Sequence, residues 1–126
     1  MPKIKKDLAP ALIDDDTLEG RYAELGPFTV AFETFHVDAD PAPLFRGLPE
    51  DRCQCEHWGQ VRSGKLIYRY PDHEEEFVTG DFYYAAPGHL PLVTSGTEVA
   101  EFTRTEELSA TMGVVQSNMA KEGAGQ

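Results

Sequence analysis

The 126-residue chain is long enough for one core and too short for two, and its 40% hydrophobic and 26% charged residues fit an ordinary globular domain. The 22 acidic against 11 basic side chains leave a net charge of -11, which repels phosphate backbones and anionic lipid surfaces and argues against nucleic-acid and membrane partners. No apolar run approaches the roughly 20 residues of a membrane span, and the basic start MPKIKKDLAP lacks the apolar stretch of a secretory signal, so a cytoplasmic protein is expected.

Residues 1–26 show no sustained alternation and are expected to form an N-terminal segment packed on the main domain, with Asp16 or Thr17 capping a short helical turn. In FTVAFETFHV, Phe28, Val30 and Phe32 alternate with Thr29, Ala31 and Glu33, the pattern of a half-buried strand; as an exposed edge it would pair two copies into a homodimer. The proline-rich DADPAPLFRGLPED is a loop. Short strands follow at close intervals, with a turn at Ser63-Gly64, a charged hairpin tip in PDHEEE and a strand DFYYA ending in Pro87-Gly88. With 11 glycines and 9 prolines marking frequent turns, this spacing describes an all-β sandwich or barrel over residues 27–103. Residues 104–121 close the same domain as a helix: Leu108, Met112, Val115 and Met119 share one face, and Thr103 with Glu106 forms a candidate capping box. The final EGAGQ is expected to lack structure.

The stretch CQCEHWGQ gathers both cysteines, one of four histidines and the sole tryptophan. A Cys-x-Cys disulfide closes a strained ring, so the thiols are read as free. In an extended segment Cys53, Cys55 and His57 project to one side, and thiolate sulfur with imidazole nitrogen is the donor set that zinc prefers and that iron and copper accept. The bland alternative is a pair of reduced, buried cysteines beside a core tryptophan. Three neighbours on one strand crowd each other, so a remote ligand is required. His89, aimed by the Pro87-Gly88 bend, is the first candidate; His36 is weaker, and His73 belongs to the solvated hairpin tip. Leu66, Tyr68 and Tyr70 share one face of their strand and Phe82 and Tyr84 one face of theirs, and one of these sets is expected to line a pocket.

The segment HWGQVRSGKLIYRYPDHEEEFVTGDFYYAAPGHLP resembles the cupin superfamily, of the RmlC-like jelly-roll type, over roughly residues 47–102. GDFYYAAPG, from Gly80 to Gly88, fits the second cupin motif, with Ala86 in the proline slot. Counting back from Gly64 puts His57 in the first motif's glutamate slot, Cys53 in its second histidine slot and Asp51 in its first; counting forward, Cys53-x-Cys55 stands for His-x-His with Gln60 as the glutamate. The second motif's histidine position holds Pro91, with His89 two residues earlier.

The resemblance implies a cupin-type jelly-roll barrel with a short N-terminal segment and a C-terminal helix, holding a divalent metal ion, zinc or alternatively iron, on Cys53, Cys55, His57 and His89. It implies an enzyme acting on a small organic molecule in an isomerase, cyclase or dioxygenase reaction, with Tyr84 moving a proton. A non-catalytic cupin that binds a small ligand or senses redox state or metal is the alternative. Four bound ligands would make the ion structural, whereas three would leave a position open for substrate.

Overall fold

The computed structural model describes residues 3–124, with side chains to Lys121. Among the described residues nine strands carry the fold: β1 (Ala11–Asp14), β2 (Leu18–Leu25), β3 (Phe28–Phe35), β4 (His57–Ser63), β5 (Lys65–Arg69), β6 (Glu74–Val78), β7 (Phe82–Ala85), β8 (Leu90–Val93) and β9 (Glu98–Arg104), followed by the helix α1 (Thr105–Ala124). They form two antiparallel sheets, one of six strands in the order β1-β2-β3-β9-β4-β7 and one of three in the order β6-β5-β8. Val61, Leu66, Tyr68, Ala85, Val93 and Val99, drawn from both sheets, bury together as the core between them. The chain is thus all-β with one C-terminal helix, as the turn spacing requires. No helix among the described residues is long and apolar enough to cross a membrane.

Several local expectations change. The N-terminal stretch, expected without regular strands, contributes β1 and β2, which extend the larger sheet beyond β3. Neither Asp16 nor Thr17 caps a helix, because the chain there is the turn between β1 and β2. Asp15 Oδ1 accepts hydrogen bonds from Thr17 N, Thr17 Oγ1 and Leu18 N, the side-chain-to-backbone bonding that lets aspartate build a turn between strands. Because β2 and β9 flank it, β3 is interior to the sheet and offers no edge to a second copy. Its faces do not follow the hydrophobic reading: Thr29, Ala31 and Glu33 turn inward with Phe35, while the other face carries the buried Val30 and Phe28, the latter edge-to-face with Trp58 and Phe102. An alternating strand buries its polar set when the barrel interior is a cavity rather than a solid core.

The strand β9 runs directly into α1, so Thr103 lies within a strand and cannot cap; Thr105 Oγ1 instead meets Thr29 Oγ1 at 2.8 Å. The helix lays Leu108, Met112, Val115 and Met119 toward the barrel, the face its 3.6-residue period marks. Asn118 Nδ2 donates to the carbonyls of Leu44 and Arg46, both at 2.8 Å, and ties the proline-rich loop to the helix. The backbone stays helical to Ala124, past the start of the EGAGQ expected to be unstructured; residues 125 and 126 lie outside those described.

Candidate functional site

Two chain segments distant in sequence meet at the barrel mouth through their backbones. Cys53 N donates to His89 O at 3.0 Å, while Gly88 N and His89 N donate to Cys53 O at 2.8 and 3.3 Å. Gly88, at φ +94°, supplies the left-handed backbone that turns the chain after β7 and presents His89 to Cys53. On the other side His57 opens β4, opposite Ala85 of β7.

One donor atom from each of Cys53, His57 and His89 lies within 4.8 Å of the other two, and all three residues are buried. The ring nitrogens are assigned by their partners. His89 Nδ1 donates to the Ala86 carbonyl at 2.7 Å, which leaves Nε2 with its lone pair. Burial, with His57 nearby, lowers the His89 pKa to about 4, so the ring is neutral and fit to ligate at neutral pH. His57 Nδ1 meets Thr103 Oγ1 at 2.7 Å, and its Nε2 faces Cys53 Sγ at 3.8 Å. Each imidazole therefore has one nitrogen anchored and the other turned into the group, the outer support that metal-ligating histidines use. The donor chemistry fits a divalent ion.

Cys55 is fully buried but does not join this group. Residues 54–56 fall outside β4, so strict alternation fails there, and Cys55 Sγ reaches Thr111 Oγ1 of α1 at 3.2 Å. The neighbouring Cys55 thiol and burial push Cys53 up, while the Cys53 thiol and the Thr111 hydroxyl hold Cys55 down against its burial. Tyr84 is also elsewhere. It projects from the outer face of β7, about half exposed, donating to Glu56 and packing its ring near Trp58. Phe82, on the same face, is 81% exposed rather than core. Tyr68 of β5, Tyr22 of β2 and Tyr83 of β7 are the buried tyrosines, and Tyr83 has the opposite parity on β7 to Phe82 and Tyr84. His36 and His73 are exposed, the latter at the hairpin tip against Asp72.

Sequence reasoning passed over Glu101, although its parity with Val99 and Thr103 marks it as inward-facing. Only 5% exposed, it accepts the hydroxyls of Tyr68 and Tyr83 on Oε1, and its Oε2 lies 3.7 Å from His57 Nδ1. Burial acts to raise its pKa, but His57 and the two hydroxyls outweigh that and hold it below the usual carboxylate value. Both tyrosines are pushed up by burial and by this carboxylate, so they stay protonated donors. Gly59 makes room: a Cβ there would come within 2.8 Å of the Tyr83 hydroxyl and 2.6 Å of the Ala100 carbonyl oxygen.

The group opens on a cavity of about 380 Å³ that both sheets and α1 enclose. Its wall is mostly apolar, with Ile13, Leu18, Phe35, Met112 and Met119 beside the polar Glu33, Tyr68 and Glu101. A concave, largely apolar chamber with few convergent polar groups is the usual form of a small-molecule site.

Neither a protein-family model nor a curated protein matches the chain. Solved structures do. A structural-genomics protein of unknown function from Rhizobium leguminosarum bv. viciae 3841 is similar over 82% of this chain and 95% of its own, with a TM-score of 0.59 and 17% identity. An RmlC-like cupin from Shewanella frigidimarina NCIMB 400 is similar over 81% of this chain and 89% of its own, with a TM-score of 0.54 and 9% identity. The iron(II) form of HppE gives a TM-score of 0.56 at 12% identity over 82% of this chain, which spans only 60% of HppE's length. At such identities the likeness carries the fold.

Proposed function

We propose that this chain, a cupin by fold, is a metal-dependent enzyme that acts on a small organic molecule inside its barrel. The observation that carries the reading is the buried Cys53, His57 and His89 group at the wall of the 380 Å³ cavity. Held there, a divalent ion supplies Lewis-acid polarisation of a substrate oxygen. One thiolate and two imidazoles suit zinc, and the iron(II) of HppE makes iron the alternative. Cys55 stays with Thr111, so three protein ligands leave a position open.

The chain's own groups do the rest. The Ala86 carbonyl fixes the His89 tautomer, and the Thr103 hydroxyl holds the His57 ring in place through Nδ1. Glu101 is kept ionised, with Oε2 free of either tyrosine, and is the group placed to take a proton from a bound substrate. That role, expected of Tyr84 from the sequence, passes to Glu101 because Tyr84 lies outside the barrel. The apolar wall and α1 exclude water. Proton transfer beside a polarised oxygen favours isomerase or cyclase chemistry, with dioxygenase chemistry the iron counterpart.

The free thiol of Cys53 within the donor group supports a second reading, a binding or sensing cupin in which oxidation of that sulfur by a peroxide removes a ligand. Elemental analysis of protein purified without an affinity tag, as wild type and as His57→Ala, tests the metal. About one ion per chain, largely lost in the variant, is the expected result. A wild type that holds no metal after expression with zinc and iron supplied overturns it.

A further inference from the structure

The cavity carries a second polar station, on β3. Glu33 lies one pleat beyond Glu101: the register pairs Ala31 with Glu101 and Glu33 with Val99. Tyr22 of β2 donates its hydroxyl to Glu33 Oε2 at 2.7 Å. Gly20, opposite Glu33 on the same strand, gives the space, since a Cβ there would come within 2.6 Å of that hydroxyl. No protein donor reaches Glu33 Oε1 among the described residues, and the residue lines the cavity. The arrangement does not belong to the metal group, and nothing in the chemistry assigned above uses it.

The charge of the wall is one-sided. Asp15, Glu33, Asp38, Asp40 and Glu101 contribute to it, and no lysine or arginine does among the described residues. Arg69 is already bound by the wall residue Asp40, with Nη2 2.9 Å from each carboxylate oxygen, and Arg52 donates to the carbonyls of Arg69 and Gly88. Asp15 and Asp38 each give an oxygen to backbone N–H groups, and Glu101 takes both tyrosine hydroxyls on Oε1 and turns Oε2 toward His57 in the metal group. A divalent ion would be balanced by the Cys53 thiolate and Glu101, leaving nothing to attract an anion. Away from the metal group, Glu33 offers the chamber an acceptor, Oε1, that no protein donor fills among the described residues.

We propose that Glu33 is the specificity-determining group of the cavity, accepting a hydrogen bond from the protonated amine of a small, otherwise apolar ligand, and that carboxylates and phosphates are refused. Ammonium is the common organic group that both donates to a carboxylate and neutralises it. The carbon skeleton then lies against Ile13, Leu18, Phe35 and the helix methionines. The inference rests on this cavity being the ligand site of the proposed enzyme.

Calorimetric titration of the zinc-loaded chain with benzylamine, benzyl alcohol and benzoate at about pH 8, where Glu33 has released its proton and the amine still holds its own, tests it. Benzylamine is expected to bind about tenfold more tightly than either of the others, and Glu33→Gln to remove about that factor for the amine while barely changing the alcohol. Direct coordination of the amine to metal is insensitive to Glu33→Gln, so the variant separates the two. His89→Ala, which removes a metal ligand, keeps the amine preference. Equal binding of benzoate and benzylamine, no binding of any probe, or an unchanged amine affinity in Glu33→Gln overturns the proposal. Should Glu33→Gln not fold, the wild-type ratio of benzylamine to benzoate decides. A chain that purifies without metal yet prefers benzylamine sinks the metal reading and leaves Glu33 in place; a metal-replete chain with no preference does the reverse.

Discussion

The Glu33 carboxyl makes stability depend on pH in a direction the structure fixes. Burial, then the nearby Glu101 charge, raises its pKa from 4.5 to about 7, against the lowering pull of the Tyr22 hydroxyl. The folded chain therefore holds this proton over a range where the unfolded chain has released it. Stability from this group is whole below pH 4.5 and is lost as pH rises through about 7. The difference between the two values corresponds to about 3 kcal/mol above pH 8, and this is a ceiling because Glu33 as a residue is only half-buried. Glu33→Gln carries a neutral amide that still accepts from Tyr22, so it removes the penalty and little else. Urea unfolding followed by circular dichroism, in the presence of a chelator, measures both proteins at pH 5 and pH 8. The variant is expected to match wild type at pH 5 and to exceed it at pH 8 by up to about 3 kcal/mol. A difference that stays constant across the two pH values, or a variant less stable at pH 8, refutes the reasoning.

Cobalt(II) loaded into the site is expected to show a thiolate-to-metal absorption band that Cys53→Ser abolishes and Cys55→Ser retains; a band lost in Cys55→Ser alone would make that thiol the ligand. Thr103→Val removes the hydroxyl against His57 Nδ1 and is expected to weaken metal binding about 10-fold or more, read by competition with a chromogenic chelator, while the chain stays folded. Gly59→Ala forces a methyl against the Ala100 carbonyl and the Tyr83 hydroxyl, costing about 1–3 kcal/mol in thermal unfolding. Tyr84→Phe, outside the barrel, is expected to leave metal content unchanged, read by the same elemental analysis.

The barrel was legible in the sequence because turns at Gly64, Gly80 and Gly88 divide alternating runs of strand length, and positive φ at all three explains why glycine stands there. The helix face was legible for the same reason of period. Cys53, His57 and His89 were reached by parity and by the bend before His89, and these are local properties. What stayed hidden is non-local. Nothing in EVAEFTR says that Glu101 meets Tyr68 and Tyr83, because that depends on β5, β7 and β9 closing round one axis. The inside of β3 was misjudged because apolar residues mark the interior only where it is solid; here Phe28 packs outward on Trp58 and Glu33 faces the chamber. Cys55 was misplaced because its segment is irregular, so the rule of two did not apply to it.

The peptide groups of Cys53 and His89 hold each other whether or not any ion is present. Two anchor points of the donor group are thereby set by main chain, which no side-chain replacement disturbs. Such a frame tolerates a change of donor at residue 53 or 89 without rebuilding the barrel, so affinity and metal preference can be altered there one substitution at a time. It also predisposes the emptied protein to take up an ion quickly, since little remains to be ordered when one arrives.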